Sequence, residues 1–310
     1  MMNAMRPSLG MTLLLGGLAA CTPSGPTSGG GTSTPTPAEA APATDPGPAT
    51  ETETAPAAEP AQVAIVADHT LGPKLSEKWK RWASERSAAI VEDHPELEKQ
   101  LDALPLQRGR DGRPRMNADW LSDPNAGPLL LGRLLEASDI DLRLGLAGAV
   151  ARSSGIPTEA LAELATSAND PGVRSVIVAQ LWRRDENATR EALGEALADD
   201  DLSVRVAAAT ASSRHPRGSG LIDALGGALD DAAPEVRWVA ARALGAVGEP
   251  EEAARLEVLL DDTHPRVRRV ALRSIDRLDP ALAKTLVKSK KLTNDADPAV
   301  ARVAASIANR

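Results

Sequence analysis

The sequence predicts an all-α fold, an α-solenoid of stacked helical hairpins in about six repeats, with a helical cap at its N-terminal side. Three observations carry that prediction. A short pattern recurs at steps of 31, 31, 32, 31 and 33 residues, marked by Leu142-Arg143, Val173-Arg174, Val204-Arg205, Val236-Arg237, Val267-Arg268 and Val300-Ala301. Each occurrence follows a turn rich in Asp and Pro, and apolar residues fall at helical spacing on either side of it. Phe and Tyr are absent and five Trp are the only aromatics, so the core must be built from Ala, Leu, Val and Ile. Such small side chains suit closely packed helices better than a sheet sandwich.

The chain opens with residues 1–20, "MMNAMRPSLGMTLLLGGLAA", in which Arg6 is followed by an apolar run too short to span a bilayer. Leu18, Ala19, Ala20 and Cys21 resemble the lipobox of bacterial lipoproteins, and Cys21 is the only cysteine of the 310 residues. That resemblance implies a cleaved signal peptide, acyl chains on Cys21 and anchoring to a membrane of the cell envelope. Several acyl chains on one residue anchor stably where a single chain does not. Thr22 after the cysteine implies, by the same resemblance, an outer-membrane destination. A lone cysteine excludes an internal disulfide or a cysteine metal cluster, and His69, His94, His215 and His264 show no ligand spacing, so no metal is expected.

Residues 21–62 are Pro, Thr, Ser, Gly, Ala and Glu with almost no large apolar side chain. A segment of this composition cannot offset its ordering entropy by burial and is expected to be a disordered tether. As a coil it spans about 35 Å, and on the order of 140 Å if fully extended. Residues 1–62 hold one basic and five acidic side chains, so the remainder carries 34 basic against 38 acidic ones. Near balance gives no general electrostatic case for nucleic acid.

Residues 63–125 read as the cap. Two helices are expected in 72–104, with Leu75, Trp79 and Trp82 on one face, and then an exposed loop, "LQRGRDGRPRMN".

Residues 126–310 hold the repeats. An apolar helix comes first in each, as in "GPLLLGRLLEA" and "TEALAELATSA". The turn then places Asp where it can cap, and Pro where a missing N–H costs nothing in the first turn of the next helix. In the second helices Val236, Val239, Ala240, Ala243 and Leu244 share one face, as do Val267, Val270, Ala271 and Ile275. The Asp-rich turn and the "VR" start of the second helix resemble HEAT repeats, in particular the short bacterial HEAT-like repeats of phycobilisome lyases. The resemblance implies a ladder between neighbouring turns, with Arg174, Arg205, Arg237 and Arg268 facing Asp199, Asp231, Asp262 and Asp295. The first two passes carry Asp139 and Asp170 at a different offset and the last lacks the Arg, which predicts an incomplete ladder at both ends.

No Gly-x-Ser-x-Gly elbow, phosphate loop or dinucleotide fingerprint is present, and the recurrent Asp pairs are explained by capping and the ladder. No cofactor is expected. His215 and His264, beside Pro216 and Pro265, read as solvated turn residues. What remains is surface. Trp238 stands where other passes have Leu144, Ser175, Val206, Arg269 and Arg302, so it reads as an exposed residue of the concave, second-helix face. Arg242, Arg269, Arg273 and Arg302 surround it in the register, and exposed Trp and Arg are the commonest interface hot spots. Packing between repeats is the competing reading of Trp238. The expected function is a non-catalytic, lipid-anchored scaffold of the bacterial envelope that binds an envelope protein, favouring an acidic segment, and no nucleic acid. The alternative is a lyase-type cofactor-attachment factor or another enzyme built on the array; DNA repair on a HEAT-like glycosylase plan ranks behind both.

Overall fold

A computed structural model describes residues 75–310, and the predicted signal peptide, lipobox, Cys21 and tether lie outside the described residues. The described residues belong to one compact unit. It is an all-α solenoid of six helical hairpins.

Two helices precede the repeats. Helix α1 (Glu77–Asp93) ends at His94, and Pro95 opens α2 (Pro95–Asp102) at the position where proline is tolerated. Leu75 and Trp79 are buried, Trp82 is half-buried, and the two indoles meet edge-on with centroids 6.3 Å apart. Helix α1 lies along α3 (Ala126–Glu136), the first helix of the first hairpin.

The segment expected as a loop is instead a β-hairpin. Strands β1 (Gln107–Arg108) and β2 (Pro114–Arg115) pair antiparallel, with Gln107 opposite Arg115. The Gly109 N–H donates to the Arg113 carbonyl at 2.9 Å, and Gly112 takes the φ of +75° that the turn needs. Strand β2 rests on α4 (Ile140–Arg152), where Met116 is buried against Gly145. Strands of two residues carry no alternation that periodicity could detect.

The hairpins then run α3/α4, α5 (Thr158–Ser167)/α6 (Pro171–Val178) and α7 (Asn187–Ala196)/α8 (Leu202–Ser212). In the fourth, the first arm breaks into a short α9 (Ile222–Gly227) flanked by 3₁₀ turns, where Gly226 and Gly227 weaken a helix, before α10 (Pro234–Val247). The fifth pairs a 3₁₀ helix, Pro250–Asp261, with α11 (Pro265–Leu278), and the sixth pairs α12 (Pro280–Ser289) with α13 (Pro298–Ala308). The second helices pack in succession, α4 on α6, α6 on α8, α8 on α10, α10 on α11 and α11 on α13. Capping follows the turn chemistry. Asp139, Asp170, Asp201 and Asp297 each accept a backbone N–H at the start of the following helix, and Pro171, Pro234, Pro265 and Pro298 occupy first-turn positions.

The core is Ala, Leu, Val and Ile. Val236, Ala240, Ala243 and Leu244 of α10 and Val267, Ala271 and Ile275 of α11 are fully buried. The helices approach so closely that a Cβ on Gly245 would lie 2.5 Å from Ser274 Oγ. Full burial of each Leu or Val contributes about 1.5–3 kcal/mol. Two expectations need correction. Val270 is only half-buried, because it lies at the margin of the stripe whose centre is Val267, Ala271 and Ile275. In the first repeat Leu142, aligned with the buried valines, is 36% exposed. It borders an open cavity with Leu101, Leu104 and Leu146, since α2 stops at Asp102 and the chain leaves for the hairpin instead of covering it.

Candidate functional site

Along the turns a chain of ion pairs links each repeat to the next. Arg174 forks Asp199 with two bonds of 2.8 Å, and Arg237 forks Asp262 at 2.7 and 2.9 Å. Arg205 meets Asp231 at 2.7 and 3.3 Å, and Arg268 meets Asp295 at 2.9 and 2.7 Å. Each of these guanidinium groups also donates to a carbonyl six residues back in its own turn, as Arg205 does to Asp199 at 2.8 Å. Each carboxylate in turn accepts the N–H two residues on, so the turn is fixed before the Arg arrives. The side chains are largely buried, and bidentate pairing of this kind is the strongest form of charge-assisted bond. Burial pushes the carboxyls of Asp199, Asp231 and Asp262 up, but the Arg and backbone donors outweigh it and hold them below the usual carboxylate range. For Asp295 the bond from Arg268 is the leading cause of the same downward shift. A fifth rung joins Arg143 to Asp170 at 3.6 Å. Residue 301 is Ala, so no rung continues past Asp295.

These turns are structural. The candidate recognition residues of the sequence lie on the second helices. Trp238 is half-buried and packed against the core, which places it between the two readings its variable position allowed. Its ring carries the Arg266 guanidinium at 3.7 Å and the Arg242 guanidinium at 5.6 Å. Cation–π contacts of this geometry hold the indole in place while leaving both cations facing water. Arg266 had no place in the sequence reading, which compared equivalent positions. It stands one turn before Arg269, the Trp238 counterpart, and interhelix stacking brings that earlier turn over the ring. Arg269 is half-buried, and its Nε is buried with no hydrogen-bond partner among the described residues. Arg273 on α11 and Arg302 on α13 are exposed and extend the basic line.

The two turn histidines differ from each other. His264 is exposed and caps α11, its Nδ1 accepting the Arg266 N–H at 3.2 Å. His215 is not solvated; it is 4% exposed, with Nδ1 accepting the Arg217 N–H at 3.1 Å and Nε2 3.4 Å from Thr189 Oγ1. Burial lowers its pKa, so the neutral ring is favoured. Among the described residues no group of three His, Cys, Asp or Glu is placed to hold a metal ion.

HEAT repeats match residues 215–276, the stretch that contains α10 and most of α11. That stretch is HEAT-like. It includes Trp238, Arg242, Arg266, Arg269 and Arg273, so the basic patch sits on the HEAT-like segment itself. Two solved structures of engineered proteins, both structural-genomics targets, are similar to the chain. One is 20% identical, with a TM-score of 0.40, over 58% of this chain and 94% of its own. The other is 21% identical, with a TM-score of 0.42, over 60% of this chain and 58% of its own. No curated protein matches the chain. HEAT-like repeats of this form suit protein–protein interaction, because stacked units expose a continuous surface.

Proposed function

We propose that this protein is a non-catalytic, lipid-anchored scaffold of the bacterial cell envelope, held through Cys21 in the outer membrane and facing the periplasm. It binds another envelope protein on the second-helix face. The observation that carries this reading is the indole of Trp238 stacked by Arg242 and Arg266 beside Arg269 and Arg273. An aromatic ring fixed among cations offers an apolar contact with a charged rim, which is the composition of an interface hot spot. The cations select an acidic segment on the partner and speed its encounter. The lipobox resemblance of Leu18-Ala19-Ala20-Cys21 supports the anchor, and the composition of the following residues supports a tether that lets the array reach away from the bilayer.

The test is capture of partners from native envelopes by the purified chain, beside Trp238→Ala and Arg242→Glu. A partner retained by the parent and lost from both variants, with unchanged helicity and melting temperature, is the expected result. Undiminished capture by a stable Trp238→Ala chain would remove this patch from the proposal. A covalently altered small molecule bound in place of a protein would shift the assignment to cofactor attachment. For the anchor, Cys21→Ala should abolish acyl labelling and release the chain from the membrane fraction.

A further inference from the structure

The β1–β2 hairpin does more than cover α4. Between it and helices α4 and α6 lies an open cleft of about 370 Å³, lined by Arg113, Arg115, Arg152 and Arg183 with Asn117 and Gln180 as neutral donors. A single carboxylate, Asp111, enters the lining, and Arg115 already pairs with it at 2.9 Å. All four arginines are exposed to solvent at the cleft. Arg152 donates to the Met116 carbonyl at 2.9 Å, which fixes its guanidinium against the hairpin. Arg183 donates to Gln180 Oε1 at 2.9 Å and lies over the Trp182 ring at 4.8 Å, with no carboxylate in ion-pair contact among the described residues. Partial desolvation of its guanidinium in the cleft, then the charges of Arg183 and Arg115, lower the pKa of Arg152 although the residue as a whole is exposed. The fold thus holds like charges together.

The floor of the cleft points the same way. Gly145 and Gly148 both lie inside α4, where glycine costs about 1 kcal/mol relative to alanine. At Gly145 a Cβ would lie 2.5 Å from Leu106 Cδ1 and 3.2 Å from Met116 Cγ, so a larger residue would displace those hairpin side chains. Gly148 is under no such constraint, because its nearest neighbours would be Arg152 Nη1 at 3.4 Å and Val176 Cγ1 at 3.6 Å. Nothing in the packing of the folded chain calls for glycine at 148; its bare backbone keeps the cleft floor open beside a guanidinium.

We propose that this cleft binds a small phosphate-class polyanion, gripped by Arg113, Arg115, Arg152 and Arg183. A phosphoryl group presents several acceptor oxygens and nearly two charges to forks converging from different elements, whereas one carboxylate satisfies a single fork. The cleft is independent of the Trp238 patch, which lies on α10 and α11, so either assignment can fail alone.

Inorganic pyrophosphate titrated into the full-length chain by calorimetry should bind saturably at low ionic strength and more weakly as salt rises. Arg183→Gln and Arg113→Gln should each weaken that binding about tenfold, the loss of one charge-assisted bond, with the melting temperature of the free chain unchanged. Arg242→Glu should leave it intact. Vesicles of phosphatidylglycerol, set against phosphatidylcholine, separate the sources. Co-sedimentation that needs Arg183 identifies a lipid headgroup; pyrophosphate binding without it identifies a free phosphate compound. Absence of saturable binding at low salt, or binding indifferent to both Gln variants, overturns the proposal. So does a short poly-glutamate peptide that binds the cleft more tightly than pyrophosphate.

Discussion

The first rung of the ladder and the four that follow use the same two residue types and give different geometry. Arg174, Arg205, Arg237 and Arg268 each fork a carboxylate that lies five residues before the buried valine, whereas Arg143 meets Asp170, three residues before it, through one contact of 3.6 Å. The difference is a division of labour. Asp170 caps α6, its Oδ1 accepting the N–H groups of Gly172 and Val173, so only Oδ2 is left toward Arg143. In the later turns the cap is a separate residue, such as Asp201 or Asp297, and the ladder carboxylate two residues earlier accepts a single turn N–H while both its oxygens meet the Arg of the preceding repeat. One residue asked to do both does the second weakly. Arg143 is instead held by two bonds to the Ala137 carbonyl, at 3.2 and 2.9 Å.

The comparison is broken hardest from beneath the rungs. Val267→Asp places an unpaired charge at a fully buried position and should cost more than about 4 kcal/mol, enough to melt the C-terminal repeats in a circular dichroism scan. Leu142→Asp, its counterpart in the first repeat, should cost about 1 kcal/mol or less, because Leu142 is already open to water near a helix N-terminus. Equal losses at the two sites would contradict the burial difference.

Next in size is the loss of a ladder carboxylate. Asp262→Ala strands a largely buried Arg237 and should cost about 3 kcal/mol in urea titration, the lower end for a broken buried pair. Asp170→Ala loses mainly a cap, about 1 kcal/mol. Acid reads the same rungs more gently. Asp199, Asp231, Asp262 and Asp295 have folded pKa values below their unfolded ones. Their contribution is therefore complete above the unfolded value of about 3.9, and it is lost as pH falls through the folded values. The urea midpoint should hold steady from neutrality to about pH 5 and drop below about pH 4, with a shallower drop in Asp262→Asn. The smallest effect is constructive. Ala168→Asp puts a carboxylate at the position the later turns use and should stabilise the first rung by up to about 1 kcal/mol.

The repeat period and the second helices were legible because each unit repeats one requirement, an apolar stripe after a capped turn. Period alone could not show that the first arm at 250–261 is a 3₁₀ helix or that the fourth arm breaks at Gly226-Gly227. Both kinds of arm present the same apolar residues to the same neighbour. His215 was misread because Pro216 and Arg217 mark a turn, while the contact that buries the ring comes from Thr189, twenty-six residues earlier. Arg266 over Trp238 and the arginines around the hairpin cleft were hidden for a related reason. Register aligns equivalent positions, and side chains meet across non-equivalent ones.

The ladder also has a mechanical consequence. Its five contacts tie turns 25 to 27 residues apart along a single edge of the array. That edge cannot lengthen without breaking largely buried charged bonds, while the first arms opposite are joined by apolar contact and by more exposed pairs such as Arg255 with Asp223 and Lys290 with Asp261. Separating neighbouring turns along that edge therefore costs more than separating the first arms, so a bend that opens the far edge is the less costly deformation of the array. Among the five rungs the longest contact is the one between the first two repeats, Arg143 with Asp170.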